Sequence, residues 1–136
     1  MKTIVLDVYT GHAAGTFDLT PQISEFVAGE GDGLVNVFVP HATAGIAIIE
    51  SGAGSDHDLI DRIDDVLPRT AGLYRHQHGA QGHGADHVLP AFIAPTASIP
   101  VIGGELALGV WQSVLLVDTN VDNANRQVRL SFLSAP

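Results

Sequence analysis

The stretch Trp111-Gln112-Ser113-Val114-Leu115-Leu116-Val117-Asp118 is the plainest β-strand in the sequence, because it is rich in bulky and β-branched residues. A second long strand is predicted over residues 126–133. Trp111 is expected in the core, since a Trp that opens a strand is most often buried. Gln112 and Ser113 carry hydrogen-bonding groups that either line a pocket or face water. The chain is therefore expected to end in a sheet.

Further strands are predicted upstream of this pair, where apolar residues alternate with polar ones or form short β-branched runs. They cover residues 2–10, 15–19, 34–39, 46–49, 98–102 and 105–108. The pair Gly103-Gly104 predicts a tight hairpin turn between the last two of these.

Two or three helices are expected between the strands. Thr20 followed by Pro21 is typical of an N-cap and a first helical position, and Ser55-Asp56 predicts the cap of a second helix that ends near Leu67. A short third helix is predicted around residues 86–94, with Pro90 tolerated only in its first turn. The residues expected to face inward are Ile23, Phe26, Val27, Leu59, Ile60, Ile63, Val66 and Leu67. The pattern predicts one α+β domain over residues 1–136, a largely antiparallel β-sheet sandwich with helices on it.

Composition excludes several classes of function. The 136 residues carry 15 acidic and 6 basic side chains, a net charge of −9, which argues against binding nucleic acid because phosphates need a basic patch. The absence of cysteine excludes thiolate zinc sites, cysteine nucleophiles and disulfides. No apolar run approaches the roughly 20 residues that span a bilayer, so no membrane association is expected and the cytoplasm is the default location.

Four of the seven histidines fall between residues 76 and 87. His76 and His78 share a side in an extended segment, and His83 and His87 share a face in a helix, so either pair can approach one ion. Neutral imidazole is the commonest zinc ligand where cysteine is absent. The alternative, that His78 and His83 are solvated loop histidines, stays open at this level.

Two further candidate functional residues lie on either side of the predicted strand 46–49. His41 precedes the small residues 42–45, which allow a ligand to come close, but a histidine at a strand end is also a common hydrogen-bonded rim residue. Glu50 ends the same strand and is either its first solvated residue or a buried ligand or base. His12 and His57 are expected to be structural or solvent-facing.

Several segments together resemble the YjbQ-like family, also called the secondary thiamine-phosphate synthase enzyme family. The segment from Pro40 to Glu50 resembles its H-T-[ST]-A…N-E motif, and Tyr74-Arg75-His76 resembles its Y-x-H. Gly84-Ala85-Asp86-His87 stands where that family has D-[DN]-M-P-[SA]-H, and residues 104–113 are similar to its G-x-[LI]-x-L-G-T-W-Q-G. The match extends from about residue 34 to residue 133.

The resemblance implies an α+β homotrimer with a divalent metal ion, zinc first, or a phosphate-like anion near His41, His76 and His87. On this hypothesis His41, Glu50 and His87 are catalytic, and the metal ligands are His41, His76 and His87. The substrate-binding residues are then Thr43, Arg75, Ser113 and Arg126.

The implied function is a metal-assisted enzyme acting on a phosphorylated small molecule. Its activity resembles a transferase that joins a pyrimidine methyl diphosphate to a thiazole phosphate, and this can be a side activity. One alternative is a non-catalytic homotrimer that binds metal or a small ligand. Another is a structural or partner-binding protein. The chain departs from the family pattern at Ile49, Thr119, Asn120 and Asp122, where the family has Asn, His, Arg and His.

Overall fold

The computed structural model describes residues 1–136 and contains eight strands and three helices. The strands are β1 (Lys2–Tyr9), β2 (Gly15–Asp18), β3 (Gly33–Phe38), β4 (Ala44–Ile49), β5 (Thr96–Ile102), β6 (Glu105–Leu106), β7 (Ser113–Asp118) and β8 (Asn125–Ser134). The helices are α1 (Thr20–Val27), α2 (Ser55–Val66) and α3 (His83–Phe92). The predicted α+β class is confirmed. None of the three helices has the length and apolar character needed to cross a bilayer.

The strands form two antiparallel sheets. The larger sheet has the order β1-β8-β3-β5-β6, and the smaller has the order β2-β7-β4. β1 and β2 are neighbours in sequence but belong to different sheets, since β1 pairs with β8 and β2 with β7. β7 is the central strand of the small sheet, and its residues from Val114 to Asp118 are all buried.

The main core lies between the two sheets and α1. Alternate residues of β3, β5 and β8 point into it, as period-two patterning requires. A smaller apolar cluster on the other side of the small sheet joins β7 to α2 and α3 through Ile63, Leu67, Ala85, Leu89 and Val117. The small sheet is therefore a middle layer, with the large sheet on one face and two helices on the other.

The helix ends differ from the sequence prediction in their capping. Thr20 is the first residue of α1 and not its cap, because its hydroxyl accepts the Val114 amide of β7 at 2.9 Å. No side chain caps α2, which begins after Gly54 at a φ of 104°. α3 begins three residues earlier than predicted, so Pro90 lies inside the helix near its C-terminal end and not in its first turn.

Two apolar residues predicted to be buried are exposed. Val66 lies at the end of α2 with 59% of its surface exposed. Trp111 is 73% exposed, because β7 begins only at Ser113 and Trp111 lies in the turn before it. In this turn the Gln112 amide donates to the Gly109 carbonyl at 2.9 Å. The predicted hairpin at Gly103-Gly104 is confirmed, with positive φ at both glycines.

Gly45 lets the segment after α3 lie directly against β4. The Ile46 amide donates to the Ala94 carbonyl at 2.8 Å. A Cβ atom on Gly45 would lie 2.2 Å from the Ile93 carbonyl oxygen, so no side chain fits there without moving backbone. This contact places the C-terminal end of α3 on the small sheet.

Replacing Gly45 by alanine should therefore destabilise the fold by about 1–3 kcal/mol or more, the cost of overpacking a core. Urea unfolding of Gly45→Ala measures the loss. Gly31→Ala is the matched control, since a Cβ on Gly31 meets nothing within 4 Å. Equal midpoints for the two variants would contradict the close contact.

Candidate functional site

Three histidines converge where the loop after α2 meets the start of α3. His76, His83 and His87 each bring one ring nitrogen within 4.8 Å of the other two. His83 and His87 lie one turn apart on α3, and His76 comes from the loop. Gly84 permits this approach, because a Cβ there would lie 2.5 Å from the Cβ of Tyr74 and 3.0 Å from the His76 carbonyl oxygen.

The spacing of these nitrogens suits a single metal ion. The Nε2 atoms of His83 and His87 are 3.0 Å apart. Two imidazole nitrogens on one tetrahedral zinc ion, each about 2.0–2.1 Å from it, are about 3.3 Å apart. The rings of His76 and His87 stack with their centroids 4.1 Å apart. His78 is exposed, with its ring 3.8 Å from that of His76, and lies outside the converging set.

Two carboxylates lie behind His83. Its Nδ1 is 3.0 Å from Asp122 Oδ2 and 3.7 Å from Asp86 Oδ2, although neither pair is aligned as a hydrogen bond. Metal-binding histidines commonly turn their second nitrogen towards a carboxylate, which orients the ring and raises its basicity. The Nδ1 of His83, the Nδ1 of His76 and Oδ2 of Asp86 are buried without hydrogen-bond partners, so this cluster is not satisfied by the chain's own groups.

The surroundings of His87 favour its neutral form. The pKa of His87 is lowered, first by desolvation and then by His83, His76 and His78, while Asp86 opposes the shift. A lowered pKa favours the neutral ring, which is the form that binds metal. His87 is exposed as a residue, but its Nε2 faces the other rings.

A shallow cleft of about 90 Å³ opens beside the histidines, between residues 70 and 84. Typical ligand pockets measure about 300–1,000 Å³. The Tyr74 hydroxyl donates to the Pro68 carbonyl at 2.9 Å, and burial raises the pKa of this phenol, so it is not available as a base. Arg75 is exposed, is not among the residues that line the cleft, and makes no ion pair.

A second polar cluster lies at the end of β7. The Arg126 and Asp118 side chains, 2% and 1% exposed, form an ion pair with an Nε to Oδ2 distance of 2.7 Å. Arg126 also donates to Asp118 Oδ1 at 3.1 Å and to the Thr43 hydroxyl at 2.9 Å. The guanidinium is thus neutralised and enclosed, and neither Arg126 nor Thr43 faces the histidine cleft as a substrate-binding residue.

His41 belongs to this second cluster and not to the group of converging histidines. Its Nε2 accepts the Gln127 amide at 3.0 Å, and its Nδ1 lies 3.4 Å from Arg126 Nη1. Burial and then the Arg126 charge lower the pKa of His41. A guanidinium beside Nδ1 repels a metal ion, so the predicted ligand set of His41, His76 and His87 is not assembled within one chain. His83 takes the place assigned to His41.

Glu50 and Ser113 lie at the opposite end of the small sheet. Ile49 pairs with Ser113, whereas Ala44 pairs with Asp118 at the histidine end. Five residue steps along a strand, at about 3.4 Å each, separate the two ends by about 17 Å. Within one chain, Glu50 and Ser113 therefore do not share a site with His87, contrary to the sequence hypothesis.

The turn that follows β7 connects the two polar clusters. Asn120 donates to the Thr43 hydroxyl at 3.2 Å, and its own side-chain oxygen accepts the Asp122 amide at 2.9 Å. Thr119 donates to Asp86 Oδ1 at 2.8 Å, and Arg69 donates to the same oxygen. Thr119, Asn120 and Asp122, which depart from the family motif, therefore make contacts that support the histidine cluster.

The sequence marked Asp86 and Asp122 at positions of the family motifs without assigning them to the metal ligands, and it left His83 open. The spacing of His83 and His87 did indicate a shared helical face. The direct approach of Asp122 to His83 depends on a turn 39 residues away, so spacing along the chain does not give it.

Comparison with known proteins identifies the family. A family model described as UPF0047 protein YjbQ-like matches residues 4–135. The chain belongs to the YjbQ-like family. Among its relatives, UPF0047 protein Rv2556c of Mycobacterium tuberculosis is 58% identical over 133 residues, which cover 98% of each chain. UPF0047 protein YugU of Bacillus subtilis is 31% identical over 113 residues, covering 80% of this chain and 83% of that one.

Solved structures of similar proteins have the same fold. The hypothetical protein APE1520 of Aeropyrum pernix superposes with a TM-score of 0.89 at 29% identity, covering 99% of this chain and all of that one. A YbjQ-like protein of unknown function from Sulfolobus solfataricus gives 0.85 at 25% identity, covering 98% and 99% of the two chains. Membership of the YjbQ-like family thus establishes the fold and leaves the chemistry to be argued from the site.

Replacing Asp118 by asparagine should destabilise the protein by about 3–5 kcal/mol, because it leaves the buried Arg126 charge without its partner. Urea unfolding of Asp118→Asn measures this. Asp65→Asn is the matched control, since the Arg62–Asp65 pair is 69% and 66% exposed and should contribute less than about 1 kcal/mol. Similar losses in both variants would contradict the enclosed pair.

The lowered pKa values of His41 and His87 predict a pH dependence of stability in metal-free protein. Below the ordinary histidine pKa of about 6.5, the unfolded chain binds protons that the folded chain resists. The free energy of unfolding should therefore decline as pH falls through and below that value. His87→Gln should reduce the slope, with His57→Gln, an exposed residue of α2, as control. A steeper slope in His87→Gln would contradict the prediction.

Proposed function

We propose that this protein binds one divalent metal ion through His76, His83 and His87, with zinc as the first candidate. The ion would serve a reaction on a phosphorylated small molecule. The observation that supports this most is the convergence of three imidazole nitrogens within 4.8 Å, backed by Asp122 and Asp86. His41, which the sequence hypothesis placed in the ligand set, is replaced by His83 in this proposal.

The donor set favours a reactive site over a structural one. Structural zinc sites are usually closed by four protein ligands, whereas catalytic sites use three and keep one position open. Here three histidines converge, two of them, His76 and His83, line a cleft, and His87 is exposed. A metal ion in such a site polarises a phosphoryl oxygen or activates a bound water. Asp122 Oδ2 lies 3.0 Å from His83 Nδ1, and the exposed Arg75 lies in the chain between the cleft residues Tyr74 and His76.

We propose the transferase activity that the family resemblance implies as the specific reaction of this site. Joining a pyrimidine methyl diphosphate to a thiazole phosphate releases diphosphate, whose charge a metal and cationic groups would stabilise. Two phosphorylated substrates need more room than a cleft of about 90 Å³. The activity therefore requires a larger site, which a homotrimer can supply at a boundary between subunits.

The alternative is a homotrimer that binds metal or a small ligand without turnover. The small size of the cleft favours it, because a single phosphate-sized group fits more readily than two substrates. Turnover of phosphate esters by metal-loaded protein, compared with metal-free protein, separates the two functions.

Metal content tests the proposal directly. Untagged protein purified without chelator and reloaded with zinc should contain about one ion per chain by elemental mass spectrometry. His83→Ala and His87→Ala should lose it, since two imidazoles do not hold zinc as three do.

His41→Ala is the discriminating control. It should retain the metal, because its Nε2 is bound to the Gln127 amide and its Nδ1 faces Arg126. Loss of metal in His41→Ala with retention in His83→Ala would restore the ligand set expected from the sequence and overturn the one proposed here.

A further inference from the structure

We propose that an apolar groove between α2 and α3 is the docking site for a basic amphipathic helix of another protein. Leu59, Ile63 and Val66 of α2 line one side of the groove, and Leu89 and Phe92 of α3 line the other. The apolar recess supplies the contact, and the aspartates of α2 select the charge of the partner. This docking does not depend on the proposed metal function.

The groove combines buried and exposed apolar side chains. Ile63 and Leu89 are 8% and 1% exposed and belong to the small apolar cluster under the two helices. Val66 and Phe92 are 59% and 64% exposed in the same groove. Single exposed apolar residues are ordinary on a protein surface, but a contiguous apolar recess bordered by charged residues is typical of an interaction site.

The size and the walls of the groove favour a helix as its occupant. Its volume is about 180 Å³, below the 300–1,000 Å³ of typical small-molecule pockets, so it suits a few protein side chains better than a cofactor. Both walls are helices, whose interior backbone groups are bonded within the helix, so no strand edge is free for an extended peptide. An amphipathic helix instead places apolar side chains at i, i+4 and i+7 into such a groove.

The border of the groove formed by α2 is acidic. This helix carries five aspartates and one arginine, Arg62, which lines the groove and lies 2.7 Å from Asp65 Oδ2 through its Nε. Asp58 is four residues before Arg62 and Asp65 is three after it, so both are its neighbours on the helix surface. The other wall, α3, has no lysine or arginine. A partner with lysines or arginines beside its apolar stripe is therefore complementary.

A second copy of this chain does not have such a helix. Neither α1 nor α3 contains lysine or arginine, and α2 is itself acidic. Arg75 and Arg129, the two arginines without an ion pair, lie in the loop after α2 and in β8. The net charge of −9 also opposes the approach of a second copy to this acidic border.

The groove and the histidine cluster lie on different faces of α3. Because each helical residue turns by about 100°, Leu89 lies about 200° around the helix axis from His87. His83 is one turn before His87 on the same face. A helix bound in the groove therefore leaves the histidines uncovered.

Three synthetic helical peptides test the docking. The first carries leucines at i, i+4 and i+7 bordered by lysines, the second has glutamates in place of the lysines, and the third has the composition of the first in scrambled order. Fluorescence anisotropy at physiological ionic strength should give a dissociation constant below about 100 μM for the first peptide. The other two should bind at least about tenfold more weakly.

Substitutions in the groove locate the binding. Val66→Ser and Phe92→Ser change exposed side chains, which usually costs a protein little stability. Each should weaken the lysine peptide by about tenfold, as loss of an apolar anchor does. Val110→Ser is the matched control, because Val110 is 88% exposed and lies outside the groove, and it should bind the peptide like wild type.

Charge is tested separately by Asp58→Asn, which should weaken the lysine peptide by about twofold to fivefold, the range of exposed ion pairs. Glu25→Gln, an exposed acid of α1, is its control and should have no effect.

Three results would overturn the proposal. Absence of binding by the lysine peptide would remove the docking site. Equal binding of that peptide by Phe92→Ser and wild type would show that net charge alone attracts it. Equal binding of the lysine and glutamate peptides would contradict selection by the aspartates.

Discussion

The enclosed ion pair between Arg126 and Asp118 is the contact on which the rest of the site depends. It joins the end of β7 to the start of β8. Both side chains are buried, so removing either one would leave the other as an uncompensated buried charge. Asp118 also accepts the Asn120 amide at 3.0 Å, which begins the turn towards Thr43 and Asp122. The position of Asp122 beside His83 therefore depends on the turn that begins at this buried pair.

The two polar clusters differ in how completely their polar atoms are hydrogen-bonded. At Arg126 the donors and acceptors satisfy one another, so the cluster holds structure together. At the histidines, buried polar atoms of His76, His83 and Asp86 have no partner, which is costly unless something else satisfies them. The proposed cation would bind among these rings, in a protein with nine surplus negative charges.

Local sequence was sufficient for most of the fold and for part of the site. Alternation and turn residues predicted the strands and the Gly103-Gly104 hairpin, and a four-residue spacing placed His83 beside His87. Long-range contacts decided the rest. His41 is held by the amide of Gln127, 86 residues away, and Trp111 is exposed because its turn precedes β7. No local pattern carries such information.

X-ray absorption at the zinc edge of the loaded protein tests the central claim most directly, because it reads the metal's ligands without mutation. Three imidazole nitrogens at about 2.0–2.1 Å and one oxygen donor are the predicted shell. A shell of carboxylate oxygens, or one with a single imidazole, would contradict a centre built from His76, His83 and His87.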